Sequence, residues 1–201
     1  MFKRKSHKSL RLKHLAIAAI CSQLILSGCA SVVAVGAAST AASSASDRRT
    51  VGTQIDDKTM EARVSSAIDT IPNIDDNSAI SIHVYNGQVL LTGQANQAFL
   101  IDEAERKATS IMNVKRVHNQ IRLGSPIPAS STMHDIWLGT KIRTLMGTNE
   151  RVPLLKLDLI VEDSEVFIMG KLTRKEALAA VDVARNVKGV TKVVRVLELT
   201  D

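Results

Sequence analysis

An internal repeat with a period of about 77 residues constrains the fold of this 201-residue chain more than any other feature. Val89–Gly93 (VLLTG) corresponds to Val166–Gly170 (VFIMG), and Asn113–Val117 (NVKRV) corresponds to Gly189–Val193 (GVTKV). A third block, an apolar stripe at helical spacing, repeats upstream: Met60, Val64 and Ile68 correspond to Leu138, Ile142 and Met146. Three blocks in the same order indicate that one unit of about 65 residues is present twice, so we expect two copies of one small domain.

Each copy shows the pattern of a helix, two strands, a second helix and a third strand. In copy one, Ile80, Ile82 and Val84 alternate with Ser81, His83 and Tyr85, and this period of two predicts a half-buried strand. The Asn86-Gly87 pair that follows favours a tight hairpin turn. The predicted fold class is therefore α+β, with two tandem αββαβ domains, each containing a small mixed three-stranded sheet and two helices.

Polar residues suggest where the helices begin. We predict that the first helix starts after Asp57 in copy one and near Asp135 in copy two, because an Asp side chain accepts hydrogen bonds from first-turn amides. In copy two, Thr173 and Glu176 fit a capping box at the start of the second helix.

The N-terminus has the layout of a secretory signal. Residues 1–14 are basic, Leu15–Leu26 is uncharged and mostly apolar, and Leu26–Cys29 (LSGC) resembles the lipobox of bacterial lipoproteins. We predict a signal peptide over residues 1–28 and a lipidated Cys29 that starts a flexible tether over residues 29–55. Several acyl chains on Cys29 would hold the protein on a membrane.

Two further readings concern this N-terminal segment. In the bacterial lipoproteins that this segment resembles, an Asp after the lipidated cysteine favours retention in the inner membrane. The residue here is Ala30, so the resemblance implies the periplasmic face of the outer membrane. The alternative is an uncleaved transmembrane helix, since no charge occurs from Leu15 to Ser46.

The positive net charge does not indicate a nucleic-acid partner. The chain has 26 Lys and Arg against 20 Asp and Glu, but six of the cations lie in residues 1–28 and leave the rest neutral. Binding to nucleic acid requires clustered surplus cations, so we expect no nucleic acid partner.

Catalytic and metal-binding patterns are missing from the sequence. The three histidines that would remain after signal-peptide cleavage, His83, His118 and His134, lack the spacing of metal ligands, and no nucleophile or phosphate-binding motif occurs. His83 is expected to face solvent. We therefore expect no enzyme activity, no catalytic residue, no metal and no cofactor.

The repeated motifs resemble those of the BON domain, a bacterial envelope module. The resemblance is carried by V-x-L-x-G, an Ala-rich helix and G-V-x-x-V, although Asn113 replaces the second Gly in copy one. It places BON domains at residues 56–123 and 133–201, joined by a linker at 124–132. With the lipobox, the whole chain resembles dual-BON outer-membrane lipoproteins, which implies phospholipid binding in the periplasm and a role in outer-membrane integrity and at the division site.

The first helix of copy two is the candidate lipid-binding element. It carries the only Trp of the chain, Trp137, together with Leu138, Lys141 and Arg143 and no acidic residue from Ile136 to Asn149. A Trp beside cations at the edge of an apolar face suits a membrane interface that contains anionic phospholipid. The alternative is that Trp137 extends the core or packs between the domains.

A different function class stays open at this point. The folded domains would act as an adaptor for envelope-assembly or cell-wall proteins, with the acyl anchor as the sole membrane contact. Open sheet edges or the linker would then provide the binding surface.

Overall fold

The computed structural model describes residues 47–200. The predicted signal peptide, Cys29 and the tether up to residue 46 lie outside the described residues, as does the alternative transmembrane helix.

The first domain follows the predicted order, with one short additional helix and a third strand in two pieces. Its elements are α1 (Val51–Ile68), α2 (Ile74–Asn77), β1 (Ser78–Tyr85), β2 (Gln88–Ala95), α3 (Ala98–Thr109), β3 (Arg116–Asn119) and β4 (Arg122–Leu123).

The second domain repeats this order. Its elements are α4 (Ala129–Gly147), a 3-10 turn (Leu154–Lys156), β5 (Leu157–Glu162), β6 (Glu165–Leu172), α5 (Arg174–Arg185) and β7 (Lys192–Leu199). The predicted capping box is present, since Thr173 and Glu176 bond reciprocally to each other's backbone amides at the start of α5.

Each domain has a mixed sheet with the second strand of its hairpin at the centre. Strand β2 pairs antiparallel with β1 and parallel with β3 and β4, and β6 pairs antiparallel with β5 and parallel with β7. The parallel pairing follows from the intervening helix, which returns the chain to the starting edge of the sheet. The predicted α+β fold of two tandem αββαβ units is confirmed.

The two sheets pack against each other, with the helices outside. Each domain has an apolar core between its helices and its sheet. A third apolar cluster lies between the two sheets and consists of Tyr85, Leu90, Phe167, Met169 and Val196. The layers are therefore helix, sheet, sheet, helix, which explains why the central strands β2 and β6 are buried on both faces.

Both first helices begin earlier than the sequence predicts. Helix α1 begins at Val51, where the Thr50 hydroxyl accepts a hydrogen bond from the Thr53 amide, and α4 begins at Ala129. Residues assigned to the tether and to the linker are thus helical. Asp57 and Asp135 lie inside these helices, and their carboxylates accept hydrogen bonds from the hairpin turns instead.

Reciprocal contacts join the two domains. Asn86 in the first hairpin turn donates to Glu198 near the end of the second domain. Arg122, the first-domain counterpart of Glu198, pairs with Asp163, which is the counterpart of Asn86 in the second hairpin turn. In both contacts, a residue of one domain's hairpin turn meets a residue in the last strand of the other domain. The interface between the domains therefore has the form of a symmetric dimer interface.

Candidate functional site

Helix α4 presents an apolar face to its own core and a second apolar face to solvent. Leu138, Ile142 and Met146 are completely buried against the sheet. On the opposite side, Met133, Ile136 and Trp137 are 66%, 58% and 54% exposed. Spacings of three and four residues place these three side chains on neighbouring turns of one surface.

Trp137 forms the centre of this exposed surface. The Lys141 ammonium lies 4.9 Å from the centroid of the indole ring, within the range of a cation–π interaction. The His134 ring lies on the other side, with its centroid 5.8 Å from that of Trp137. Trp137 and Lys141 therefore share one flank of the helix.

Two of the predicted lipid-binding residues lie elsewhere. Leu138 has no exposed surface and belongs to the core of the second domain, so its proposed contact with lipid is wrong. One residue is a rotation of about 100°, which turns Leu138 from the Trp137 side toward the sheet. Arg143 lies on the flank opposite Lys141, where its guanidinium donates to the Leu159 carbonyl at 2.6 Å.

Sequence reasoning missed Met133 and Ile136. The signal for them is the spacing of three residues between Met133 and Ile136 and of four residues between Met133 and Trp137. It was overlooked because a helix start near Asp135 leaves Met133 outside the helix. The exposure of Trp137 also argues against the alternative that this side chain packs in the core or between the domains.

A cleft of about 590 Å³ separates α1 from α4 at one edge of the two sheets. Lys58 and Glu61 line it from α1, Arg143 lines it from α4, and His83 and Asp158 line it from strands β1 and β5. Burial lowers the pKa of His83 and raises the pKa of Asp158, because both charged forms lose hydration there. His83 was predicted to face solvent, but it lies partly buried in the cleft instead.

Residues 47–49, which we call the strap, connect the start of α1 to both domains. The Arg49 guanidinium stacks on the Tyr85 ring at 3.6 Å and pairs with Asp57 at 2.9 Å. The Arg48 guanidinium pairs with Glu176 of the second domain at 2.7 Å and donates to the Lys171 carbonyl. These contacts fix the point at which the chain enters the folded unit.

The strap also determines the ionisation of Asp47. Burial alone would raise the pKa of this carboxyl group, but the hydrogen bonds and the charge of Arg49 outweigh burial and hold the pKa below its usual value. The carboxylate is thereby kept charged next to the arginine.

Metal and membrane-spanning features were searched for in the described part of the chain. Residues 47–200 contain no group of three His, Cys, Asp or Glu side chains placed to hold a metal ion. Within the same residues, no helix combines the length and the apolar character that crossing a bilayer requires.

The family of the chain follows from its similarity to known proteins. Residues 56–125 and 134–201 each match the BON domain. The outer membrane lipoprotein DolP of Haemophilus influenzae is 35% identical over 190 residues, which cover 94% of this chain and 97% of that protein. The 21 kDa hemolysin of Actinobacillus pleuropneumoniae is 36% identical over 151 residues, which cover 75% of this chain and 78% of that protein.

Among solved structures, the C-terminal domain of CdsD, a structural protein of the type III secretion system of Chlamydia trachomatis, is similar over 70% of this chain and 96% of that one. Its sequence identity is 11% and the TM-score is 0.26, values too low to say anything about function. The matching BON domains and the lipoprotein relative indicate no catalytic family. The two matching domains and the similarity to a lipoprotein along nearly the whole chain show that this protein belongs to the BON-domain family, as a two-domain, lipid-anchored lipoprotein of the outer membrane.

Proposed function

We propose that the second domain binds anionic phospholipid through the exposed face of α4, and that this contact supports the integrity of the outer membrane, including at the division site. The observation that carries the proposal is the pairing of an exposed Trp137 with Lys141 on a surface that also displays Met133 and Ile136.

The chemistry of this face fits the interfacial region of a bilayer. An indole ring is favourable at the depth of the headgroups, where its apolar body leaves water and its N–H stays hydrated. The Lys141 ammonium, held above the ring, lies where a phosphate group would meet it. Met133 and Ile136 would add apolar surface on either side of the ring.

Charge on α4 favours anionic headgroups over neutral ones. The stretch from Ile136 to Asn149 contains Lys141 and Arg143 and no acidic residue. Each cation close to an anionic surface contributes about 1 kcal/mol, and this contribution decreases with added salt. Arg143, held against the Leu159 carbonyl, would act from the edge of the contact and Lys141 from its centre.

The test uses the chain without its signal peptide and with Cys29→Ser, so that no acyl chain contributes to binding. Affinity for vesicles containing phosphatidylglycerol is measured by co-sedimentation for this protein and for its Trp137→Ala and Lys141→Glu variants. We expect affinity to fall roughly tenfold for Trp137→Ala, since about half of a Trp surface would leave water on binding.

Phe99→Ala provides the matched control, because Phe99 is a similarly exposed aromatic side chain on α3 of the first domain. It should bind vesicles like the unsubstituted protein. Thermal unfolding should be nearly unchanged in all three variants, since none of these side chains is buried. Equal vesicle affinity of Trp137→Ala and the unsubstituted protein would refute the assignment, and a complete lack of vesicle binding would favour the adaptor function.

A further inference from the structure

We propose that the first domain binds an acidic, aromatic peptide of a partner protein in a pocket beside α1, with the aromatic ring next to Thr59. This site goes beyond the lipid contact proposed for α4 and does not depend on it. Its basis is a difference between the two copies of the domain. Aromatic rings occupy this place in the second domain, whereas the same place in the first domain is open.

The pocket has a volume of about 630 Å³, which lies within the usual range of ligand sites. It is bordered by α1, by the turn between β1 and β2, and by the loop from α3 to β3. Apolar surface and polar groups occur side by side in its lining, which includes Met60, Met112, Val114, Thr59, Arg63 and Lys115. A ligand with both an apolar ring and a charged group suits this mixture.

The internal repeat shows what occupies the corresponding place in the second domain. Two residues that line the pocket, Thr59 and Asn113, correspond to Trp137 and Gly189. The His134 ring joins these two positions in the second domain. Its centroid lies 5.8 Å from that of Trp137, and its Nε2 lies 3.6 Å from where a Cβ on Gly189 would be. Rings thus fill in the second domain the place that the first domain leaves open.

A cation is present at this place in both domains. Lys141, which lies 4.9 Å from the centroid of the Trp137 ring, corresponds to Arg63. Arg63 follows Thr59 by four residues and therefore lies one turn further along the same face of α1, but Thr59 offers no ring to it. Guanidinium groups stack on aromatic rings more often than ammonium groups do. A ring bound next to Thr59 would form with Arg63 the cation–π pair that the second domain forms internally.

The cations of the pocket favour a ligand with a negative charge beside its ring. The side chains of Arg63 and Lys115 form no hydrogen bond or ion pair with any of the residues 47–200. Asp57, which also lines the pocket, is already paired with Arg49 and accepts the amides of the hairpin turn. The exposed Asp56 is the other acidic group among the described lining residues, so the two unpaired cations outnumber it.

Charge also decides between a second copy of this chain and a different protein. Glu198 acts on Lys115 from the second domain, but it pairs with Lys171 at 3.0 Å. A second copy would offer the exposed ring of Trp137, but Lys141 accompanies that ring and would be brought next to the cations of the pocket. Like charges brought together in this way oppose binding. The occupant is therefore a different protein, with an aromatic residue next to a carboxylate.

The experiment uses the chain without its signal peptide and with Cys29→Ser, isotopically labelled so that NMR follows its backbone amides. The probe is N-acetyl-tryptophan, which joins an indole ring to a carboxylate. N-acetyl-tryptophanamide lacks the negative charge and N-acetyl-leucine lacks the ring, so each control ligand tests one part of the proposal. We expect saturable shifts at the amides of Val114 and Lys115, with N-acetyl-tryptophan bound more tightly than either control ligand.

Substitutions test the pocket itself. Thr59→Trp places a ring in the pocket, as in the second domain, and should weaken binding at least tenfold; because Thr59 is exposed, the fold should be retained. Arg63→Ala should weaken binding about threefold. Lys115→Gln should abolish the preference for N-acetyl-tryptophan over its amide. Lys58→Ala is the matched control, because Lys58 is a cation of the same helix that lines the cleft instead, and this variant should bind like the unsubstituted chain.

The proposal is overturned if no saturable shift occurs, if Thr59→Trp binds as tightly as the unsubstituted chain, or if N-acetyl-leucine binds as tightly as N-acetyl-tryptophan. Monomeric dihexanoylphosphatidylglycerol is titrated in parallel. If this lipid shifts the amides of Val114 and Lys115 and N-acetyl-tryptophan does not, the pocket is a lipid site and the peptide proposal is refuted.

Discussion

Asp57 and Asp135, 78 residues apart, hold the hairpin turns of the two domains in the same way. Asp57 accepts hydrogen bonds from the backbone amides of Asn86 and Gly87 at 2.7 and 2.9 Å. Asp135 accepts hydrogen bonds from the amides of Asp163 and Ser164 at 2.7 and 2.8 Å. In each domain a buried carboxylate on the first helix thus ties that helix to the turn between the first two strands.

Replacing either carboxylate should destabilise the protein. Asp57→Ala and Asp135→Ala each leave two backbone amides without their acceptor, which should lower the free energy of unfolding by about 3 kcal/mol. The loss of free energy should be larger for Asp57→Ala than for Asp135→Ala, because Asp57 also pairs with the charge of Arg49. Urea unfolding measures both, with the exposed neighbour Asp56→Ala as control; a loss for Asp56→Ala as large as that for Asp57→Ala would contradict the assignment.

The strap should contribute to stability through Arg49 much more than through Arg48. The Arg49 side chain is almost buried between Tyr85 and two carboxylates, so Arg49→Met leaves the buried charge of Asp57 unpaired and should cost about 3–5 kcal/mol. Arg48 is more exposed, and Arg48→Met should cost about 1 kcal/mol. Chemical unfolding measures the free energy of unfolding of the two variants. Similar losses of this free energy in Arg49→Met and Arg48→Met would show that the strap acts through charge alone.

The two motif glycines should differ in their tolerance of a side chain. Gly93 has φ of +108°, and an added Cβ would lie 1.9 Å from the Ala79 carbonyl oxygen of the neighbouring strand. Gly170 lacks the positive φ, and its Cβ would lie 3.0 Å from the Lys156 oxygen. We expect Gly93→Ala to lower the free energy of unfolding by at least about 3 kcal/mol and Gly170→Ala by about 1–2 kcal/mol, measured by urea titration.

The cluster between the sheets should make the two domains unfold together. Phe167 is buried there against Leu90 of the first domain, and Phe167→Ala should cost about 3–5 kcal/mol. It should also separate one unfolding transition into two, which tryptophan fluorescence (second domain) and circular dichroism (both domains) would show as different midpoints. Coincident midpoints in the variant would contradict this coupling.

His83 should make stability fall in mild acid. Burial holds its pKa below 6.5 in the folded protein, so the unfolded chain takes up the proton first as pH falls. Stability contributed by neutral His83 is fully present above pH 6.5 and is lost as pH falls through the folded pKa. The free energy of unfolding should therefore fall less in His83→Gln than in the unsubstituted protein between about pH 7.5 and pH 5.5. His118 and Asp158 titrate in both proteins, and equal pH dependence would refute this role.

The secondary structure and its repetition could be predicted because local patterns determine them. The alternation along β1, the Asn86-Gly87 turn and the Thr173–Glu176 capping box all appear in the structure at the predicted places. The mixed sheets follow from the order of strands and helices. The BON resemblance of both copies is confirmed, since residues 56–125 and 134–201 each match the BON domain.

The environment of the sheets could not be predicted, because it depends on how the copies meet. Tyr85 and His83 lie on the polar side of the alternation in β1, yet the second domain and Arg49 of the strap together bury Tyr85, and His83 lies in the cleft. The role of Asp57 was misread for a related reason, since its hydrogen-bond partners lie 29 and 30 residues away. Leu138 was named as a lipid contact although it belongs to the same apolar stripe as Ile142 and Met146, and that stripe faces the core.

The reciprocal contacts between the domains have a consequence for how the protein can vary. Two separate chains would dissociate on dilution, whereas the residues between β4 and α4 keep each domain within reach of its counterpart at an effective concentration of millimolar order. The pairing of the two domains therefore does not depend on the concentration of the protein in the envelope. Because each domain always has its counterpart nearby, the outer surfaces of the two domains can differ without loss of pairing. One such difference is Trp137, which occupies the position of Thr59 in the first copy.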